Sequence, residues 1–330
     1  MTLDPKQTHV VREWKHGKPM IACCFDPQGR FLYTTSEDYS MQRWLMSDEK
    51  GEKKTAWPAH DSWIWDLAFF PDGETVVTAG CDDKIIFWPT GEATPKPIRE
   101  VSAHKGWIRS VDINRDGSLI ATGGHDRFVR LWSPDGQLVR EFKGHERDVY
   151  SVLFHPDGKH ILSGDLDGKV IQWSIADGMQ VRTFDAKGLH SYNTGQRVHF
   201  GGVRGLAIHP DKSLLACCGL HKATNPLGAV HEPLIELFSL KDGKKVRAQA
   251  DGIKGVSWDV EFLADGSEVT VSGGTSGGYL LFFKPGEEKA YHKFKLKNTA
   301  KGMSVHPDGL TIATTHHNGT IQISRMAKKA

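Results

Sequence analysis

Four sets of side chains that could form a hydrolytic triad recur along the sequence with one common spacing. In each set a His is followed after 18 residues by Thr or Ser, after four more by Asp and after six more by Trp. A His beside a hydroxyl and a carboxylate is able to activate a nucleophile. One active site needs only one such set, however, and four equally spaced copies indicate a structural repeat. The sets are His16, Thr34, Asp38 and Trp44; His60, Thr78, Asp82 and Trp88; His104, Thr122, Asp126 and Trp132; and His145, Ser163, Asp167 and Trp173.

A turn of the Pro-Asp-Gly type marks the same repeat along the whole chain. Its last residue falls at positions 29, 73, 117, 158, 212, 266 and 309, which defines seven units. Within each unit, short apolar runs alternate in the manner of strands and are broken by Gly, Asp and Asn. A unit of four strands repeated at roughly 40–45 residues is typical of a β-propeller blade. Because one blade cannot bury its own faces, we expect a single domain over residues 1–330.

With these four sets the chain resembles the WD-repeat (WD40-type) family over essentially its whole length. The resemblance implies an all-β fold, a seven-bladed β-propeller of four-stranded antiparallel blades. It also implies that each His, Ser/Thr, Asp and Trp set is a buried hydrogen-bond relay that ties neighbouring strands together. Unit five keeps His199 at the His position, with Cys217 and Phe238 at the hydroxyl and Trp positions, and units six and seven keep less of the pattern.

The two ends of the chain carry complementary parts of one unit. Residues Val10 to His16 read VVREWKH, which is similar to the outer strand and following loop of unit three, LVREFKGH. The last unit ends soon after its third strand. We therefore predict that the N-terminal strand completes the last blade and closes the ring, which removes two exposed sheet edges.

Composition and charge exclude several classes of function. The formal net charge is +2, which favours neither a nucleic-acid partner nor a membrane surface. The first residues contain no apolar run of the signal-peptide type. Four of the five cysteines form the adjacent pairs Cys23–Cys24 and Cys217–Cys218, whose side chains point to opposite faces of a strand. We expect free thiols and a cytoplasmic protein.

Two long insertions belong to unit five, at about 185–198 and 219–233. The resemblance places both in loops on one face of the propeller, called here the top face. Surface loops that exceed the length of a turn are usually functional or unstructured. Partner or ligand binding and neutral decoration therefore both remain open for these insertions.

The resemblance also indicates which side chains lie on the top face. These are the residues three and five positions after the His and the residue before the Asp. Trp, Tyr and Arg are enriched in binding hot spots, although aromatic residues also cover the ends of strands. The mixture of charge signs favours a protein or peptide partner over a phosphate backbone. The predicted partner-binding residues are Trp63, Trp65, Trp107, Arg109, Asp148, Tyr150, Arg204, Trp258, Lys301, His125 and Glu37.

Metal binding is the remaining possibility for the unit-five insertions. His190, His199, His221, His231 and Glu232 lie in or beside them, and imidazoles are ligands for zinc and copper. His199 is assigned to a relay, however, and no H-x-x-x-H pair occurs there, so we predict no metal and no cofactor. The sequence predicts a non-catalytic scaffold, monomeric by itself, that binds a protein or peptide. The alternative is a propeller enzyme or a metal- or small-ligand-binding protein that uses the unit-five loops.

Overall fold

The computed structural model describes residues 2–223, 231–275 and 277–329. Within these ranges the regular structure is all strand apart from two short 3-10 turns, Pro5–Gln7 and Lys187–Leu189. The alternation of apolar and polar residues explains the strands, because it gives each one a buried and a more exposed side. The predicted all-β class is confirmed.

Seven four-stranded antiparallel sheets form the blades of a seven-bladed β-propeller, as predicted. Each of the first six sheets is built from four consecutive strands in sequence order. Blade one contains β2 (Met20–Phe25), β3 (Phe31–Ser36), β4 (Ser40–Leu45) and β5 (Lys54–Pro58); blade two contains β6 (Ile64–Phe69), β7 (Thr75–Gly80), β8 (Lys84–Pro89) and β9 (Arg99–Ser102); blade three contains β10 (Ile108–Ile113), β11 (Ile120–Gly124), β12 (Phe128–Trp132) and β13 (Leu138–Lys143).

The next three blades follow the same order. Blade four contains β14 (Val149–Phe154), β15 (His160–Asp165), β16 (Lys169–Ser174) and β17 (Gln180–Asp185); blade five contains β20 (Gly205–Ile208), β21 (Leu214–His221), β22 (Glu232–Ser239) and β23 (Lys245–Gln249); blade six contains β24 (Val256–Phe262), β25 (Glu268–Gly274), β26 (Gly277–Phe283) and β27 (His292–Leu296). The two remaining strands before blade five, β18 (His190–Asn193) and β19 (Val198–Gly201), form a separate hairpin.

Blade seven joins the two ends of the chain. It consists of β28 (Ala300–Val305), β29 (Thr311–His316), β30 (Thr320–Met326) and the N-terminal strand β1 (Thr8–Lys15). Strand β1 pairs antiparallel with β30 from Thr8 opposite Met326 to Lys15 opposite Thr320. The predicted closure by the N-terminal strand is therefore present.

The chain forms two compact units. The first comprises residues 1–126, 130–139 and 301–330, and the second comprises 127–129 and 140–300. In the first unit the indole of Trp14 stacks on that of Trp44, with ring centroids 5.4 Å apart. In the second unit Phe184 and Phe238 meet edge to face within a cluster of buried side chains. The sequence-based prediction of a single domain over 1–330 remains a prediction.

The unit-five insertions take different forms. The first contains the 3-10 turn at 187–189 and most of the β18–β19 hairpin. The second extends the paired strands, because Gly219–His221 belong to β21 and Glu232 begins β22. Residues 224–230 of this insertion lie outside the described residues.

Candidate functional site

Blades two and three contain the hydrogen-bond relay that the resemblance implies. In blade two, His60 contacts Asp82 through Nδ1 at 2.9 Å and the hydroxyl of Thr78 through Nε2 at 2.7 Å, and Trp88 donates to the same hydroxyl at 3.1 Å. Blade three repeats this pattern. His104 lies 2.7 Å from Asp126 and 2.8 Å from the hydroxyl of Thr122, to which Trp132 donates at 2.9 Å.

The electrostatics of these relays favour an ionised Asp. Burial tends to raise the pKa of Asp82, but the hydrogen bond and the charge of His60 outweigh it and the pKa is lowered. The pKa of Asp126 is lowered in the same way, against its burial, by His104 and by Arg130, which donates at 2.7 Å. The hydroxyl of Thr78 belongs to a residue that is fully buried, out of reach of a substrate. These relays therefore stabilise the blades.

Blade four differs from the sequence-based assignment. His145 donates from Nδ1 to Asp165 at 2.7 Å, and not to Asp167, while its Nε2 meets the hydroxyl of Ser163 at 2.7 Å. Trp173 completes the relay with a bond of 2.8 Å to Ser163. The relay carboxylate thus lies two residues after the hydroxyl rather than four.

The reason is the side chain at the position two residues after the hydroxyl. Blades two and three have Gly80 and Gly124 there, and a Cβ built on either would lie within 3 Å of the relay His. A side chain at this position therefore points at the His ring. Asp165 occupies the equivalent position in blade four, so its carboxylate reaches His145 directly and takes the place of Asp167.

Blade one is also altered. His16 lies 2.9 Å from Asp38 but makes no contact with Thr34, whose hydroxyl donates instead to Gln42 at 2.7 Å. Trp44 still donates to Thr34 at 2.9 Å. The amide of Gln42 inserts between His16 and Thr34, and the side chain of Asp38 is 31 % exposed. This set is a partly exposed network rather than a closed relay.

The carboxylate of Asp167 faces the β18–β19 hairpin instead of the blade. It lies beside His190 and His199, whose rings stack with centroids 5.2 Å apart. His199 was assigned to a blade-five relay, which is wrong, because this residue lies in β19 and bonds His190 at 2.9 Å. Arg147 donates to the other oxygen of Asp167 at 3.2 Å. Asp167, His190 and His199 are called the His–Asp cluster below.

The second insertion places its ionisable groups in an ion-pair network. Glu232 accepts from Lys222 at 2.9 Å and from Lys254 at 2.7 Å, and these bonds lower its pKa to about 2. The imidazole of His221 lies 3.6 Å from the same carboxylate, and burial lowers its pKa. The two ammonium groups already neutralise Glu232, the carboxylate of this network. The network is therefore not suited to bind a cation.

Five of the predicted partner-binding residues, all in the first unit, form one aromatic group around an arginine. The guanidinium carbon of Arg109 lies 4.5 Å from the ring centroid of Trp65 and 5.0 Å from that of Trp107. Trp63 meets Trp65 edge to face at 6.3 Å, and His125 lies 6.4 Å from Trp107. Trp63 is 39 % exposed and Trp107 is 45 % exposed. These five residues are called the Trp–Arg cluster.

The second unit contains a similar sandwich. The guanidinium carbon of Arg204 lies 4.7 Å from the ring centroid of Tyr150 and 5.1 Å from that of Trp258. All three side chains are partly exposed. Arg204, Tyr150 and Trp258 are called the Tyr–Arg cluster. In both clusters the guanidinium carbon lies within cation–π distance of two aromatic rings.

The remaining predicted residues are Lys301, Glu37 and Asp148. Lys301 and Glu37 form an ion pair with each other at 2.7 Å, and both are mostly buried. Asp148 is half-buried directly before β14. Sequence reasoning missed Asp165, Gln42 and Arg147. The doublet of Asp in SGDLDG was the available signal for Asp165, whereas nothing in the local sequence indicated that Arg147 lies beside Asp167.

Comparison with known proteins agrees with this architecture. The model of the WD domain, G-beta repeat, matches residues 8–44, 51–89, 95–133 and 136–174, which extend from β1 to β16. No helix among the described residues is long and apolar enough to cross a membrane.

Several curated proteins are similar over about half of this chain. Transcription initiation factor TFIID subunit 5 of Caenorhabditis elegans is 30 % identical over 170 residues, which are 51 % of this chain and 26 % of that protein. Protein groucho of Drosophila melanogaster is 23 % identical over 186 residues, 55 % of this chain and 25 % of that protein. Nuclear distribution protein nudF of Aspergillus niger is 27 % identical over 177 residues, 48 % of this chain and 40 % of that protein.

The matched region spans between a quarter and two fifths of these relatives, so they share a repeat domain with this chain rather than their whole organisation. The four matches to the repeat model, the relays and the seven blades agree with one another. The chain is a seven-bladed WD-repeat β-propeller, with four WD repeats in residues 8–174.

Proposed function

We propose that this protein is a non-catalytic scaffold that binds protein or peptide partners, with the Trp–Arg cluster and the Tyr–Arg cluster as two separate contact sites. The observation that carries the proposal is the exposure of two tryptophans, Trp63 at 39 % and Trp107 at 45 %, around a stacked arginine. Large rigid aromatic side chains with a polar edge are the residues that contribute most to protein interfaces. The exposed surfaces of these two indoles do not contribute to the packing of the protein's own core.

The chemistry of the clusters also indicates what the partner presents. The partly exposed indoles of Trp63 and Trp107 favour apolar or aromatic side chains. We therefore propose a partner segment with a large apolar side chain.

The relatives favour the same class of function. One is named as a subunit of a transcription initiation factor and another as a nuclear distribution protein, and neither name describes an enzyme. We propose that the present chain is likewise an interaction module, monomeric by itself. The five free thiols, four of them buried, are consistent with a reducing compartment such as the cytoplasm.

The proposal is tested by substituting the exposed indoles without disturbing the blades. Partners are first identified by affinity purification of the wild-type chain from its host, and the affinity of a purified partner is then measured by calorimetry. We expect the double variant Trp63→Ala/Trp107→Ala to lose about tenfold or more in affinity, as hot-spot residues do. Its Tm is expected to stay near that of the wild type, because neither side chain belongs to the buried core.

A matched control uses exposed apolar residues outside both clusters. Ile98 is 54 % exposed and Met179 is 68 % exposed, so Ile98→Ala/Met179→Ala removes a similar exposed apolar area. This control is expected to bind the partner like the wild type. If the tryptophan variant and Arg204→Gln both keep wild-type affinity, partner binding by the two clusters is ruled out.

A further inference from the structure

The His–Asp cluster brings two imidazole nitrogens and one carboxylate oxygen to a single point. Nε2 of His190 lies 2.9 Å from Nδ1 of His199, and Oδ1 of Asp167 lies 3.5 Å from the first and 3.6 Å from the second. We propose that these three atoms bind a zinc ion. The proposed ion would join the β18–β19 hairpin to the turn of blade four that carries Asp167.

The spacing of the three atoms fits tetrahedral coordination. Zinc bonds to imidazole nitrogen and carboxylate oxygen are about 2.0–2.1 Å long, so two ligands of a tetrahedral ion lie roughly 3.3 Å apart. The observed separations lie on both sides of this value. Two imidazoles and one carboxylate supply three of four positions, and the fourth is left for water or for a side chain of a partner.

The burial of one ligand atom also suits a cation. Oδ1 of Asp167 is buried and accepts no hydrogen bond from the described residues. A buried carboxylate oxygen without a donor is costly, and a bound cation would offset this cost.

Arg147 orients the carboxylate from outside the cluster. Its Nε donates to Oδ2 of Asp167 at 3.2 Å, which leaves Oδ1 directed at the imidazoles. Nη2 of Arg147 also lies 3.2 Å from Nε2 of His199. With zinc at Nδ1, a neutral His199 carries its proton on Nε2, so this second contact would be given up. The Arg147 side chain is 44 % exposed and is able to move.

A second cluster of similar composition lacks these features. His155, Asp157 and His160 also gather ligand atoms, in the turn between β14 and β15. Nδ1 of His155, however, accepts a hydrogen bond from the backbone of Asp157, and Asp157 binds the backbone of Lys159 and the ring of His160. The same His-Pro-Asp turn recurs at His209 and His306, with the same bond to the His ring. The side chains of this second cluster therefore stabilise the turn.

The test measures metal binding by the untagged, full-length chain after treatment with a chelator. Zinc is titrated by calorimetry, and Co²⁺ is used as a spectroscopic probe, because tetrahedral Co²⁺ absorbs strongly in the visible range. We expect one equivalent of zinc to bind, a visible Co²⁺ band that zinc displaces, and a Tm raised by about 3–5 °C at a hundredfold excess of zinc over Kd. His190→Gln and His199→Gln are each expected to weaken zinc binding by about 100-fold or more and to abolish the Co²⁺ band.

His160→Gln is the matched control, since it removes a His from the second cluster, and it is expected to bind zinc like the wild type. The fold of each variant is verified by its Tm in the presence of chelator, where the His190 and His199 variants should match the wild type within about 2 °C. The proposal is overturned if the wild type binds less than one equivalent of zinc at 100 µM. It is also overturned if the His190 and His199 variants retain wild-type affinity.

Discussion

Two aspartates of one turn in blade four are expected to have opposite importance for stability. Asp165 accepts from Nδ1 of His145 at 2.7 Å and from the backbone N–H groups of Asp167 and Lys169 at 3.0 and 2.9 Å. The side chain of Asp167 is not bonded to His145 and forms a partly exposed ion pair with Arg147. The regular spacing of the four sets in the sequence predicts the reverse, with Asp167 in the relay.

The expected change in the free energy of unfolding follows from these contacts. The side chain of Asp165 is 2 % exposed and that of His145 is 1 % exposed, so water cannot replace the lost acceptor. A hydrogen bond to a charged group contributes about 1.5–3 kcal/mol, and a buried donor left without an acceptor adds a similar cost. Asp165→Ala is therefore expected to lower the free energy of unfolding by about 3–4 kcal/mol. Asp167→Ala is expected to cost less than about 1 kcal/mol, as exposed ion pairs do.

Differential scanning calorimetry of the two variants is the assay. At roughly 2 °C per kcal/mol for a chain of this size, Asp165→Ala should lower the Tm by about 6–8 °C and Asp167→Ala by less than about 2 °C. The buffer contains a chelator, so that the proposed zinc ion does not contribute to the comparison. A Tm of Asp165→Ala within 1 °C of the wild type, or a larger loss in Asp167→Ala, would refute the assignment of the relay.

The remaining predictions concern the relay, the closure and the thiols. Asp165→Gly should cost about 1–2 kcal/mol less than Asp165→Ala, because without a Cβ at this position Asp167 can approach His145. Deleting residues 1–15 removes β1 and should abolish soluble expression, whereas a soluble product with a native circular dichroism spectrum would contradict the closure. The lowered pKa of Asp126 stabilises the fold above pH 4 and this stabilisation is lost as pH falls further, so the Tm of Asp126→Asn should fall less than that of the wild type between pH 5 and pH 2. Burial raises the pKa of Cys81 to about 11, and Cys24 is the only cysteine outside the buried class, so a thiol reagent at pH 8 should label at most one cysteine of the native protein within minutes.

The architecture was predictable from the sequence because it depends on features that recur. Each unit repeats its turn and its strand pattern, and the similarity of the N-terminal segment to an outer strand was sufficient to predict the pairing of β1 with β30. The relays of blades two and three were predictable for the same reason: Gly80 and Gly124 leave the space that lets an Asp four residues after the hydroxyl reach the His.

The differences from the predicted relays depend on the directions of side chains, which the spacing of residues in the sequence does not specify. Asp165 and Asp167 are two residues apart, and only the direction of each Cβ decides which carboxylate reaches His145. His199 stands 18 residues before Cys217, as a relay His would, but it belongs to an inserted hairpin. Likewise, the positions of Arg109 and Arg204 were predicted, while their stacking between rings was not, because the partners of Arg109 lie in two different blades.

The blade-four relay, which uses Asp165, and the inserted hairpin are connected through the carboxylate of Asp167. In blades two and three the turn carboxylate is fully engaged: Asp82 accepts from His60 and from the backbone of Asp61, and Asp126 accepts from His104 and Arg130. In blade four the presence of Asp165 releases Asp167 from this role and leaves one of its oxygens buried without a donor. A buried carboxylate oxygen in that state is costly unless a cation or a donor is supplied. The hairpin before blade five brings two imidazoles to this oxygen, next to the one blade of the four whose relay uses the earlier Asp.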